Sequence, residues 1–222
     1  MQFITIILTY LNYECIKENE YRKFISGKQA DEWGTKIYED WAKRMKENEK
    51  IKIHAGLFNV GKNVFKPIEF YCANGYKLIN EYLRNGICVD EEIKMCAYKI
   101  SEELIFAPRV PENIITYRYV ENQFIKELFN SKEKDEKFWN GGFTSVSLIK
   151  EIYKCAPEGT SLLKVYVPKG MIGVYVNPLV QRNENELLLQ NNTNLRLCEK
   201  PYFDEEINGW IYGCEISSII NV

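Results

Sequence analysis

The chain has 222 residues, enough for one large domain or two small ones with a substantial core. Hydrophobic residues make up 45% and charged residues 27%, ordinary for a globular protein, and the net charge of -2 gives no electrostatic footprint for nucleic acid or an acidic membrane. The seven cysteines are odd in number with no Cys-x-x-Cys pair, and His54 is the single histidine, which argues against a disulfide framework, a metal site and Ser-His-Asp or Cys-His catalysis.

Phe3 to Tyr13 is apolar-rich, yet no positive residue precedes it, no small-residue cleavage site follows, and it is too short to span a bilayer. It reads as a leader remnant or a first strand or helix. Lys17 to Lys28 is charged and breaks the pattern, so residues 1–28 read as an N-terminal extension and residues 29–222 as a single domain. From Gln29, the apolar residues Ala30, Trp33, Ile37, Trp41 and Met45 recur every three or four positions, an amphipathic helix. Ile53 to Lys66, with Gly56 and Gly61, reads as a loop. Pro67 to Arg84 returns to a helical pattern with a break at Asn74-Gly75. Within it Tyr76, Asn80 and Arg84 share one face, while Ile79 and Leu83 face the core. Asp90 caps a helix whose apolar stripe is Ile93, Ala97, Ile100 and Leu104, and Pro108 and Pro111 end it.

The texture then changes. Ile114 to Val120 is β-branched and aromatic, a strand interrupted by Arg118. A buried arginine needs an anionic partner, and its planar fork matches phosphate or carboxylate. Ser131 to Asn140 reads as a charged connector. A glycine-led strand follows, with Ser145 and Ser147 on one face. Further strands are expected at 161–167, 173–176, 186–189, 194–198 and 209–220. Helices first and strands after give an α+β class.

Leu179 to Gln190 is a polar turn running into a short apolar run, with Glu184 and Glu186 at the junction. If the strand begins at Glu184, both carboxylates point the same way. Two like charges side by side at a sheet edge are a poor choice for stability, and such conflicts mark functional positions.

Arg118, then Ser145-Val-Ser147, then Glu184-x-Glu186 resembles the R-S-E class of mono-ADP-ribosyltransferases, particularly the bacterial exotoxins of the VIP2, iota and C3 type. Ala30-Asp-Glu-Trp33-Gly34 is similar to the family's opening helix, Tyr71 to Arg84 to its NAD-facing helix, and Pro111 to Arg118 to its arginine strand. The resemblance implies the ADP-ribosyltransferase fold, a helical N-terminal half packed on a mixed or antiparallel two-sheet β core. It implies NAD as substrate and a protein arginine as acceptor. Glu186 would stabilise the cation that develops on the ribose, Ser145 would orient Glu186, and Ser147 would support the strand. Arg118 would grip the pyrophosphate or the adjacent ribose, with Arg84 a second phosphate candidate. Tyr71, Tyr76 and Asn80 would enclose the cofactor. Glu184 would orient and deprotonate the acceptor guanidinium, with actin the leading acceptor. The resemblance further implies a monomeric, secreted toxin acting on a host target protein in the host cytosol, with a separate translocation component as a further partner and no metal.

The sequence departs from the family in places. Val146 replaces a threonine, Tyr119 stands where a second arginine is common, Gly142 stands where relatives carry an asparagine, and the turn before Glu184 lacks the usual aromatic. The 222 residues leave no room for the N-terminal docking domain of the actin-modifying toxins. A fragment, an injected effector and a single-domain arginine modifier all stay open. Rival activities are an NAD glycohydrolase with water as acceptor, and a non-catalytic docking module.

Overall fold

A computed structural model describes residue 13 and residues 16–47, 51–52, 64–87, 90–151, 158–180 and 184–218. His54 and residues 3–12 of the first apolar run lie outside the described residues.

The opening helix, α1, spans Gly27–Glu47 and buries Ala30, Trp33, Gly34, Tyr38, Trp41 and Ala42 along one stripe. Its tryptophans are also tied by their ring nitrogens. Trp33 donates to Glu112 at 2.8 Å and Trp41 to the Glu103 carbonyl at 3.3 Å. Strands β1 (Ile51–Lys52) and β2 (Val64–Phe65) form an antiparallel pair, so the segment read as a loop ends in a strand. Helix α2 (Pro67–Phe70) starts on a proline at its first turn, where the missing N–H is no loss. It runs through a π-helical turn, Tyr71–Gly75, into α3 (Tyr76–Asn85). The expected break at Asn74-Gly75 is therefore a change of pitch, not an interruption. Gly86 ends α3 in the left-handed conformation, φ +67°. Helix α4 (Glu91–Ile105) has Asp90 at its N-cap and buries the predicted stripe.

Strand β3 (Ile114–Glu121) leads directly into α5 (Asn122–Glu133), followed by β4 (Phe138–Asn140). The connector reading of Ser131 to Asn140 is thus corrected. The turn between these elements carries charge, but Ile125, Leu128 and Phe129 anchor the helix before it. Then come β5 (Thr144–Ser147), β6 (Thr160–Val167), β7 (Gly173–Tyr175), the short α6 (Asn177–Val180), β8 (Glu186–Leu189), β9 (Thr193–Leu197), β10 (Tyr202–Asp204) and β11 (Gly209–Ser218).

The order across the main sheet is β4-β9-β11-β6-β3-β5-β8-β7, with β10 paired to the start of β11. The β11–β6 pair is parallel and the others antiparallel, so the sheet is mixed. The two groups of strands form one hydrogen-bonded path. Strand β3 pairs with β6 from Ile114 to Glu121 but meets β5 at a single register pair, Tyr117 with Ser147.

Ile114 and Val120 face the main core under the helices. Ile115 and Tyr117 face a second cluster with Leu162, Tyr166, Cys198 and Ile211. Ile16 and Tyr21 pack against that cluster, and the Arg22 backbone bonds to Asn113 and Ile115, so part of the segment before Gln29 lies along β3. Lys164 is buried beside this second face, its amine 2.7 Å from Glu18 and 3.3 Å from Glu199, and the Tyr166 hydroxyl donates to Glu199. Among the described residues, Cys72, Cys96, Cys198 and Cys214 are buried thiols, no group of side chains could hold a metal ion, and no helix is long and apolar enough to cross a membrane.

Candidate active site

One cleft collects residues from distant parts of the chain. Tyr71, Tyr76 and Asn80 come from the π-turn and α3, Arg118 from β3, Ser145 and Ser147 from β5, and Glu184 and Glu186 from the entrance of β8. Volume does not single the cleft out: it holds ≈ 280 Å³, and two other cavities hold ≈ 280 Å³ and ≈ 380 Å³. The lining does. Eight of the nine predicted site residues line it, and Arg84 does not. Arg84 lies exposed at the end of α3, close enough for its charge to act on Arg118.

Glu186 is the buried carboxylate, 6% exposed. The Ser145 hydroxyl donates to its Oε1 at 2.5 Å, and its backbone N–H donates to Asn177 at 3.3 Å. A charge-assisted bond of this kind fixes the orientation of the carboxylate. Ser147 does something different. It stands opposite Glu186 in the β5–β8 pair, and its hydroxyl donates to the Glu184 carbonyl at 3.2 Å. It therefore ties the turn before β8 to β5.

Glu184 and Glu186 reach the cleft by a route the alternation rule does not describe. Strand β8 begins at Glu186, and Asn185 between the two sits at φ +49°. Glu184 is exposed at the mouth, Glu186 is buried at the wall, and both line the same space.

Tyr71 and Asn80 form the opposite wall. Asn80 donates from Nδ2 to the Tyr71 oxygen at 3.0 Å and accepts from the Phe143 N–H at 2.8 Å; the Tyr71 hydroxyl donates to the Phe143 carbonyl at 3.4 Å. Nine positions along a regular α-helix rotate a side chain about 180°, so these two would point apart. The π-turn absorbs one residue, which reduces the offset to about 80° and lets them meet. Gly142 stands against this pair, and a Cβ there would lie 2.7 Å from Asn80 Oδ1. No side chain fits at that position unless Asn80 moves.

Burial presses the Arg118 guanidinium below its ordinary pKa, and Arg84 adds to this, while Tyr71 and Glu186 oppose it. Burial likewise pushes the Tyr71 phenol up, so it stays a neutral hydrogen-bonding group. Among the described residues no side chain forms an ion pair or hydrogen bond with Arg118. Its fork is thus available to an anion entering the cleft.

Tyr119, Val146, Cys72 and Ala73 also line the cleft and were not picked out by sequence reasoning as ligand-facing. Val146, which replaces the family's threonine, is buried in the core but still borders the cleft. Phe143 contributes through its peptide group, which leaves no trace in residue type.

No curated protein matches the chain. Among solved structures, the ADP-ribosylating toxin BECa of a binary enterotoxin of C. perfringens, with NADH, superposes with a TM-score of 0.63 at 23% identity over 85% of this chain and 48% of that one. The C3 exoenzyme of Clostridium limosum gives 0.65 at 16% identity over 89% and 97%, and the enzymatic component C2-I of the C2 toxin from Clostridium botulinum gives 0.63 at 20% over 87% and 49%. The chain therefore spans about half the length of the binary-toxin components and nearly the full length of the C3 exoenzyme. These likenesses establish the ADP-ribosyltransferase toxin fold. Residues 30–205 match the sequence model of the family described as ADP-ribosyltransferase exoenzyme, and the chain belongs to that family of bacterial ADP-ribosylating exotoxins.

Proposed function

We propose that the chain cleaves NAD and transfers its ADP-ribose to an arginine side chain of a host protein. The observation that carries this reading is the Ser145–Glu186 hydrogen bond in a cleft shared with Arg118 and Glu184. BECa is described with NADH, and a related C3 enzyme from S. aureus with NAD, which supports NAD as the substrate.

The chemistry follows from the residues. The bond between nicotinamide nitrogen and ribose C1′ breaks, and the bonding pair leaves with neutral nicotinamide. Positive charge develops on the ribose, as in glycoside cleavage. The Glu186 carboxylate meets that charge and a ribose hydroxyl, and Ser145 holds it in place. The Arg118 fork suits the pyrophosphate or the adjacent ribose, with Arg84 supplying a second positive charge near the mouth. Tyr71, Tyr76 and Asn80 enclose the dinucleotide, and Ser147 supports the turn that carries Glu184. Glu184 aligns the acceptor guanidinium and takes its proton as the new N–C1′ bond forms.

Actin is the first acceptor to test, by the analogy of Glu184 with the arginine-modifying binary toxins. On this reading residues 29–222 act as one catalytic domain and a monomer. The chain is secreted and acts in the host cytosol, with a separate translocation component a candidate partner. Incubation with labelled NAD, purified actin and a host-cell lysate, followed by mass spectrometry of the modified residue, tests activity and acceptor together. Label on an arginine supports the reading; absence of both NAD cleavage and protein labelling overturns it. Glu184→Gln separates transfer from hydrolysis. It is expected to abolish arginine labelling while NAD cleavage stays within a few-fold, and equal loss of both removes Glu184 from its assigned role.

A further inference from the structure

Asn185 lies between the two glutamates and takes part in neither role assigned to them. It is 3% exposed and holds φ +49°, a left-handed backbone that asparagine tolerates and most residues resist. Two contacts keep it there. Its carbonyl accepts the Leu148 N–H at 2.9 Å, fixing the turn to the end of β5. Its Oδ1 lies 3.1 Å from the Tyr175 hydroxyl. That hydroxyl is in turn 3.1 Å from Asp31 Oδ1 on α1. The phenol has one proton for two acceptors, so the carboxylate of Asp31 and the amide of Asn185 share one donor, and their positions are coupled through it.

The Tyr175 ring has a prepared seat. It is fully buried, and a Cβ added at Gly34 of α1 would overlap it. Neither Tyr175 nor Asp31 lines the cleft. The chain of contacts therefore runs from the outer helix to the residue that sets the angle between a buried carboxylate and an exposed one.

We propose that Asp31 and Tyr175 are positioning residues, a brace that holds Asn185 in its left-handed conformation and so aims Glu184 at the acceptor. The brace governs how ADP-ribose partitions between a protein arginine and water. This rests on the reading of Glu184 given above. Glu186 has its own anchors in Ser145 and Asn177, so cleavage of NAD does not depend on the brace.

The test uses the full chain with Tyr175→Phe, which keeps the ring and removes the hydroxyl, with Asn185→Gly, which keeps the backbone and removes the amide, and with the double variant. Each single variant is expected to lower arginine transfer about tenfold, with kcat and KM for NAD hydrolysis within about twofold of the parent. The double variant is expected to be no worse than either single one, because both cut the same link. Additive losses, or equal loss of transfer and hydrolysis, overturn the proposal. Amide hydrogen exchange reads the brace without catalysis. In Tyr175→Phe the Leu148 amide is expected to exchange at least about tenfold faster while amides of β6 are unchanged. An unchanged Leu148 rate overturns the brace even if the parent protein proves inactive. Faster exchange in a protein that neither cleaves NAD nor labels arginine leaves the brace standing and overturns the functional reading.

Discussion

Glu184 and Glu186 are chemically identical and two positions apart, yet one is exposed and the other buried. Glu186 is enclosed and shares a short bond with Ser145, whereas Glu184 is exposed. Glu186→Gln keeps the shape and removes the charge, so NAD cleavage is expected to fall by about 10²–10³-fold, the usual effect of removing one electrostatic stabiliser. Initial rates of nicotinamide release measure it. Ser145→Ala leaves the carboxylate charged but without that bond and is expected to be milder. Arg118→Ala is expected to raise the Kd for NAD about 10- to 100-fold, the range of a lost charge-assisted bond of about 1.5–3 kcal/mol, read by titration calorimetry. The identity of these residues was legible because an arginine in an apolar strand and an acidic pair at a strand entrance both violate local rules. The route by which the acidic pair converges was not, since asparagine permits the positive φ seen at Asn185 without requiring it.

Elements whose apolar period was strong, such as α1 and α4, came through the sequence with boundaries close to those observed. The two-residue strand β2 and the three-residue strands β4 and β10 did not: they are short and β4 and β10 bury little, whereas the equally short β7 is wholly buried and was legible. Helix α5 was hidden by charged residues around its exit. The π-turn was seen only as a break, since pitch is set by backbone bonding and packing. Its consequence is testable. Deleting Ala73 restores regular pitch and swings Tyr71 away from Asn80, so the deletion variant is expected to stay helical by circular dichroism and lose NAD binding. Gly142→Asn drives a side chain against Asn80 and is expected to cost about 1–3 kcal/mol by overpacking, seen as a lowered Tm. A second substitution that shortens Asn80 is expected to recover part of the loss.

At the scale of the whole molecule, the second sheet face contributes to the response to alkali, together with the buried phenols of the main core, Tyr38, Tyr71 and Tyr175. Burial first, then Glu199, raises the Tyr166 phenol above its ordinary 10.0. For Lys164, burial pulls down, but the bond to Glu18 and the charge of Glu199 outweigh it and the net shift is upward. A group raised in the folded state contributes stability that is intact below its unfolded pKa and fades as pH climbs above that value. Burial also raises the Cys96, Cys198 and Cys214 thiols above their ordinary 9.0, so stability is expected to begin falling at about pH 9 and to fall more steeply beyond about pH 10. Tyr166→Phe removes one such proton, so urea titrations above about pH 10.5 are expected to show a slope shallower by about 1.4 kcal/mol per pH unit.

Arg118 belongs to one half of the main sheet and Ser145, Ser147 and Glu186 to the other, and the two halves share only the Tyr117–Ser147 rung. The proposed reaction centre therefore straddles a seam where β3 and β5 share a single register pair. Mild heat is expected to silence the enzyme a few degrees before either jaw melts, and a dinucleotide lying across both acts as the missing rung. At a hundred times its Kd such a ligand adds about 2.7 kcal/mol of stability, so differential scanning with and without NAD reports how firmly the two halves are stitched.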